Sequence, residues 1–166
     1  RAGVIKSSLF GATDAVNIPD AIANQMSKLH LMTGGQMKLP ITVMAGFGGG
    51  RSTAAQHSDC PYPLFMNLGG INVAVPSNAG DAKGLFKTAV RSNDPAIFLE
   101  PGGRGGELGE VPDGEHLVSF GKAAIRHEGR DVTIVAIGAM VKLADQAAKA
   151  LATNGVEAEI IDPRTL

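Results

Sequence analysis

The feature that most constrains this chain is a recurrence. Short apolar runs rich in β-branched residues return along the sequence, separated by stretches long enough to hold a helix. Leu39-Pro40-Ile41-Thr42-Val43-Met44-Ala45 is the first and ends in the glycines from Gly46 to Gly50; residues 71–75, just before Pro76, and Ala96-Ile97-Phe98-Leu99 follow. Val132-Thr133-Ile134-Val135-Ala136-Ile137 and residues 156–161 repeat the pattern near the end. Continuous rather than alternating apolar runs are what strands buried on both faces require. Strands of this kind alternating with helices imply βαβ crossovers, so the expected fold is α/β with a doubly wound, mostly parallel sheet.

The intervening segments carry helix signals. Asn17-Ile18-Pro19-Asp20 offers a capping side chain and a proline in the first turn, where a missing N–H costs little. Ile22, Met26 and Leu29 recur at helical spacing and Gly34-Gly35 provides a stop, which predicts a helix over about 19–33. Asn78 with Asp81 three residues later predicts a capped helix through Leu85, Phe86, Ala89 and Val90. An Ala-rich helix over 141–153 should end at Asn154-Gly155. Between these, 101–114 turns to Gly, Pro and acid without periodicity and marks a domain boundary, after which a single βαβ unit remains.

Composition matters here for what it excludes. Fifteen Lys and Arg against sixteen Asp and Glu leave a net charge of -1, without the basic footprint that phosphate-backbone binding needs, so nucleic acid is excluded as a partner. No apolar run approaches the roughly 18 residues of a membrane span, and 44% hydrophobic residues make a folded, non-membrane chain. One cysteine, Cys60, forbids an intrachain disulfide and fits a reducing compartment, cytoplasmic or the mitochondrial matrix in a eukaryote. The chain opens at Arg1 without methionine and closes just after a buried strand, which gives the expectation of a fragment.

Candidate chemistry is sparse. The glycine loop Gly46-Phe47-Gly48-Gly49-Gly50-Arg51-Ser52-Thr53 follows a strand and can cradle an anion with its N–H groups, but Arg51 breaks a dinucleotide fingerprint and the Gly-Lys-Ser/Thr of a P-loop is absent. It reads as a tight connection or as a loop shaped by another cofactor or a neighbouring chain. His57, just beyond it, stands where open α/β sheets place their ligands and can shuttle a proton near neutral pH; a loop-folding role is the alternative. Cys60 close by is a poor candidate nucleophile, because two residues in one loop seldom have the geometry. His30, His116 and His127 read as solvated, Arg104 reads as a solvated loop charge, and no His, Cys and acid cluster has metal-ligand spacing.

Several segments in order then resemble one family. Met32-Thr33-Gly34-Gly35-Gln36, Ala55-Gln56-His57-Ser58, Val75-Pro76-Ser77, Asp81-Ala82-Lys83-Gly84-Leu85 and Asn93-Asp94-Pro95-Ala96-Ile97-Phe98-Leu99-Glu100 are similar to the β subunit of thiamine-diphosphate-dependent 2-oxo acid dehydrogenases, within the wider transketolase-like group. Gly109-Glu110-Val111-Pro112, Gly121-Lys122-Ala123 and Ile160-Ile161-Asp162-Pro163-Arg164-Thr165-Leu166 resemble the start of that subunit's C-terminal domain. The resemblance implies a partial pyrimidine-binding domain over 1–110, a linker over 111–120 and a partial C-terminal domain over 121–166.

It also implies a function: decarboxylation of a 2-oxo acid on thiamine diphosphate with acyl transfer to lipoyl. The α subunit would supply the magnesium and diphosphate site, in a heterotetramer with a second β subunit that is served by a lipoyl acyltransferase. His57 matches the active-site histidine. Ile41, Ala89, Val90, Ser92 and Asp94 match positions whose backbone carbonyls hold a monovalent cation such as potassium. There are departures as well. The glutamate that contacts the aminopyrimidine lies upstream of Arg1, so the chain alone is expected to be inactive. The stacking aromatic aligns near Asp14, with Phe10 out of register, a usual arginine aligns with Met44, and a second histidine aligns with Asn67. A non-catalytic scaffold of the same fold, and a phosphate-binding α/β protein resting on the glycine loop, are the competing readings.

Overall fold

The computed structural model describes residues 3–6 as backbone and residues 21–50, 52–102 and 108–166 in full. The expected helix start at Asn17 to Asp20, and Phe10, Asp14, Arg51 and Arg104, lie outside the described residues.

Four parallel strands form the first sheet: β1 (Gly3–Lys6), β2 (Ile41–Phe47), β3 (Asn72–Ala74) and β4 (Ala96–Pro101), in the order β1-β2-β4-β3. Thr42 faces Ala96 across β2 and β4, and Asn72 faces the same residue from β3, so the three strands start level. The sequence pattern carried no signal for β1. Helix α1 covers Ala21–Met26 with wide π-type turns and Ser27–Met32 with α turns, and Gly35 at φ 82 closes it by donating to the His30 carbonyl at 2.8 Å. A short helix α2 (Tyr62–Met66) follows β2, and α3 (Ala79–Arg91) follows β3. The α3 cap is the expected one, the Asn78 Oδ1 accepting from the Asp81 N–H at 2.9 Å.

The sheet is covered on both faces, as its apolar runs demand. Val43, Ala45, Phe47, Val73, Val75, Ile97 and Leu99 pack on Ile22 and Met26 of α1 and Phe65 of α2. Met44, Ala74 and Phe98 point the other way, onto Leu85 and Phe86 of α3; the Phe86 and Phe98 rings meet edge to face, 5.3 Å apart. Burying side chains of this size contributes roughly 1.5–3 kcal/mol each.

The aperiodic stretch is no free connector where it is described. Residues 108–118 run along α3 as a strap. Lys83 donates to the Pro112 carbonyl at 2.5 Å, Lys87 pairs with Glu115 at 3.1 Å, and Arg91 pairs with Glu115 as well. Hydrogen bonds from Arg91 and then Lys87 hold the Glu115 carboxyl down at about 2. At the far end Val118 enters the core beneath α3.

The second sheet has three strands, β5 (Ala124–His127), β6 (Val132–Val135) and β7 (Ala158–Asp162), in the order β5-β7-β6, with α4 (Met140–Ala152) between β6 and β7. β6 and β7 are the parallel pair of the expected βαβ unit. The expectation of a single βαβ is corrected by β5, which pairs antiparallel to β7. Its Ala-Ile-Arg-His sequence is too short and polar to read as a strand. His127 is correspondingly a strand residue rather than a loop one; it is exposed, with its Nδ1 2.7 Å from the Ala158 carbonyl. Small residues on α4, Ala144 and Ala148, let it lie close on Ala136, Ala158 and Ile160. Among the described residues no helix is long and apolar enough to cross a membrane.

Candidate functional site

The chain leaves β2 at Phe47 and must return to α2, and this connection carries the glycines and His57. It is tied at its base by the Gly48 N–H donating to the Asp59 carbonyl at 2.8 Å. On the return side the Phe47 and Tyr62 rings pack edge to face at 5.7 Å. Gly48 and Gly50 take φ values of 87° and 93°, and an added Cβ at either would meet nothing within 4 Å, so the loop opens to solvent.

His57 ends a single 3₁₀ turn, Ala55–His57, and its side chain is exposed at the carboxyl end of β2. The turn is held by the His57 N–H on the Ala54 carbonyl at 3.3 Å and by the Ser58 hydroxyl on the same carbonyl at 2.8 Å. The backbone leading into it is strained. Ser52 has φ 52, and Ala54 at φ 68 and ψ 170 occupies a region that essentially only glycine populates. Such conformations cost on the order of 1–3 kcal/mol and cluster at functional sites. Cys60 is free and exposed in the same connection.

Ile41, Ala89, Val90, Ser92 and Asp94 gather at the opposite, amino end of the sheet. Ile41 opens β2, Ala89 and Val90 close α3, and the turn through Ser92 and Asp94 leads into β4 beside it. The Ala89 carbonyl accepts from the Ser92 N–H at 3.1 Å, and the Leu39 N–H donates to the Asn93 carbonyl at 3.0 Å. Next to Ile41, the Thr42 hydroxyl is buried with no hydrogen-bond partner among the described residues. A buried oxygen without a partner is a place where a water or a small cation can bind.

Of the departures, Met44 is a core residue beneath α3 and Asn67 closes α2, so neither projects from the loop that carries His57. Two further concavities are lined by residues that the sequence reading did not propose as site residues. One, of about 480 Å³, lies between Tyr62 of α2 and the second sheet and is lined by Ile137, Met140, Leu143 and Ala147. The other, of about 720 Å³, lies between the start of α3 and the strap, with Asp81, Glu110, Asp113 and His116 in its wall. Signals for both were absent because each is assembled from segments far apart in the chain.

Comparison with known proteins adds what this geometry alone does not carry. The family described as transketolase, pyrimidine binding domain, matches residues 14–105, and that described as transketolase, C-terminal domain, matches residues 121–166. Similar curated proteins include the acetoin:2,6-dichlorophenolindophenol oxidoreductase β subunit of Bacillus subtilis, 44% identical over 89% of this chain. The corresponding subunit of Cupriavidus necator is 46% identical over 89%. The pyruvate dehydrogenase E1 component β subunit of Bacillus subtilis is 38% identical over 98%. The chain spans 43%, 44% and 50% of the length of these three relatives.

Among solved structures, a split-gene transketolase described as an inactive β4 tetramer superposes with a TM-score of 0.73 at 28% identity, over 97% of this chain and 49% of that one. Transketolase from Leishmania mexicana superposes at 0.71 over 99% of this chain and 23% of that one, with 18% identity, and shares the fold. With more than half of its residues matched by that one family model, the chain belongs to the transketolase pyrimidine-binding domain family.

Proposed function

We propose that this chain is the pyrimidine-side part of a β subunit in a thiamine-diphosphate-dependent dehydrogenase component, with residues 1–110 and 121–166 as its two partial domains and 111–120 as the linker. The observation that carries this reading is His57, exposed on a strained turn at the carboxyl end of β2. When bound, the cofactor supplies an electron sink for breaking a carbon–carbon bond beside a carbonyl. The described residues fit its substrate-facing edge: an imidazole free to face a ligand, beside glycines with open space above them. They contain no ring clamp, since the glutamate is expected outside this sequence and Asp14 outside the described residues.

His57 then holds or delivers a proton to the oxygen of the bound substrate, a role suited to an imidazole near neutral pH. The fixed carbonyl of Ala54, gripped by two donors, sets where that ring projects. At the other end of the sheet, the carbonyls of Ile41, Ala89, Val90, Ser92 and Asp94 hold a monovalent cation such as potassium. An α subunit carrying magnesium and the diphosphate, a second β subunit and a lipoyl acyltransferase are the partners, in the cytoplasm or the mitochondrial matrix. Acetoin is the first substrate to assay, because identity is higher to the acetoin enzymes' β subunits than to that of pyruvate dehydrogenase. Pyruvate and branched-chain 2-oxo acids come next.

The test is to co-express the full-length protein with its α partner and to measure substrate cleavage with and without thiamine diphosphate. His57→Ala should lower turnover at least tenfold with assembly intact. An unchanged rate removes His57 from proton handling. Absence of cofactor-dependent turnover with all three substrates favours the scaffold reading, in which the fold persists without the chemistry.

A further inference from the structure

The densest set of charged contacts in the described residues lies where the two sheets meet, away from His57. Asp162, at the end of β7, is fully buried. Its carboxylate accepts from the Ser77 hydroxyl at 2.5 Å, from Arg126 Nη2 at 2.7 Å and Nε at 3.1 Å, and from the Arg164 N–H at 3.1 Å. Asp81, on the first turn of α3 and with an 8% exposed side chain, takes Arg126 and Asn78 on one oxygen and Arg164 Nη1 on the other, the last at 3.2 Å. Two carboxylates and two guanidiniums thus balance one another. Asp81 comes from the first unit; Arg126, Asp162 and Arg164 come from the second.

The same residues direct the backbone. Arg164 is held at φ 62, a left-handed conformation uncommon for a side chain of this kind. Its guanidinium also grips the Lys122 carbonyl at 2.7 Å and the Ala123 carbonyl at 3.2 Å, ahead of β5. Held this way, residues 164–166 lie against the outer edge of β3: the Val75 N–H donates to the Arg164 carbonyl at 2.8 Å and the Leu166 N–H to the Val73 carbonyl at 2.9 Å. Ala74 and Thr165 form an antiparallel bridge there. Apolar contact between the units comes from Ile137 and Leu166, which pack against the first core. An added Cβ on Gly138 would sit 3.2–3.3 Å from Val75, Phe47 and Pro101, so the turn before α4 rests directly on the carboxyl ends of the strands.

We infer that Asp81, Arg126, Asp162 and Arg164 form an ionic latch that registers the second unit on the carboxyl end of the first sheet, with residues 164–166 as the strand it holds in place. A buried, charge-balanced cluster is a poor source of net stability compared with apolar packing, because desolvation cancels much of the attraction. It is a strong source of specificity, because any other register leaves a buried charge without its partner. The latch therefore sets the spacing between Tyr62 of α2 and Met140 and Leu143 of α4, the walls of the groove between the units.

Amide hydrogen exchange in the full-length protein tests it. Asp81→Asn should raise exchange of the Val75 and Leu166 amides at least tenfold while leaving the β2–β4 and β6–β7 ladders unchanged. Arg164→Lys, which keeps the charge and loses the fork, should do the same. Unchanged protection at the junction, or a uniform rise throughout both sheets, overturns the latch. If neither variant folds, the unsubstituted protein decides. The Arg126 and Arg164 Nε protons should exchange in the same opening, with the same denaturant dependence, as the Val75 and Leu166 amides; separate openings overturn the inference.

Discussion

Replacing Gly84 by alanine probes the strap on α3 through the sign of the effect. In an exposed helix interior this change is favourable by about 1 kcal/mol, since alanine loses less backbone freedom. Gly84 is buried in α3, and a Cβ there would lie 2.6 Å from Val118 Cγ2, 3.0 Å from His116 Cδ2 and 3.0 Å from the Val118 backbone nitrogen. The first contact is with a β-branched side chain locked in the core and the third is with backbone, so neither is relieved by swinging a flexible tip away. Overpacking of this kind costs about 1–3 kcal/mol. Set against the helix gain, the net is a loss of about 1 kcal/mol, or a fall in Tm of about 3 °C for a chain of this size.

Thermal and urea melts of Gly84→Ala read the sign directly. Limited proteolysis across 108–118 should speed up in parallel, as the strap is pushed off α3. Adding Val118→Ala removes the tightest contact and should restore part of the loss, although the backbone contact remains. A gain of about 1 kcal/mol in the single variant, with the strap no more open to protease, would refute the reasoning, because it would mean that nothing packs on Gly84.

Acid should weaken the fold through two carboxyls. Burial alone would raise Asp81, but hydrogen bonds from Arg126 and Asn78 and the charges of Arg126 and Arg164 outweigh it and hold the group below its ordinary value; Glu115 is held at about 2. Both are depressed in the folded state, so their contribution is complete above the unfolded carboxyl range near pH 4 and is lost as pH falls through the folded values. Denaturant melts between pH 7 and 2 should show a stability decline confined to the region below about pH 4.5, shallower in Asp81→Asn; an equal slope in that variant would exclude Asp81 as a source. Thr42→Val keeps the shape and removes an orphaned buried hydroxyl, and should stabilise the potassium-free protein by about 1 kcal/mol in urea melts. Potassium in place of tetramethylammonium should raise the Tm of the unsubstituted protein, and no difference would remove the cation from the carbonyls of Ile41, Ala89, Val90, Ser92 and Asp94.

Sequence alone determined the layered architecture of this protein. Val43, Ile97 and Phe98 sit in continuous rather than alternating apolar runs, and such strands are buried between two helical layers in the first sheet. Asn78 and Gly34-Gly35 bounded their helices because capping is a local matter of a few side-chain and backbone hydrogen bonds. The order of segments also carried the family.

Tertiary structure alone decided what depends on distant residues. β1 and β5 are short strands with no periodic signal of their own, made strands by the β2 and β7 edges that they complete. The strap followed from a close approach that only a glycine at position 84 permits. Asp81, 81 residues before Asp162, looked like a second capping residue, yet it is shared by two arginines of the other unit. A charge reads in sequence as solvated, and only the fold shows which water has been exchanged for which partner.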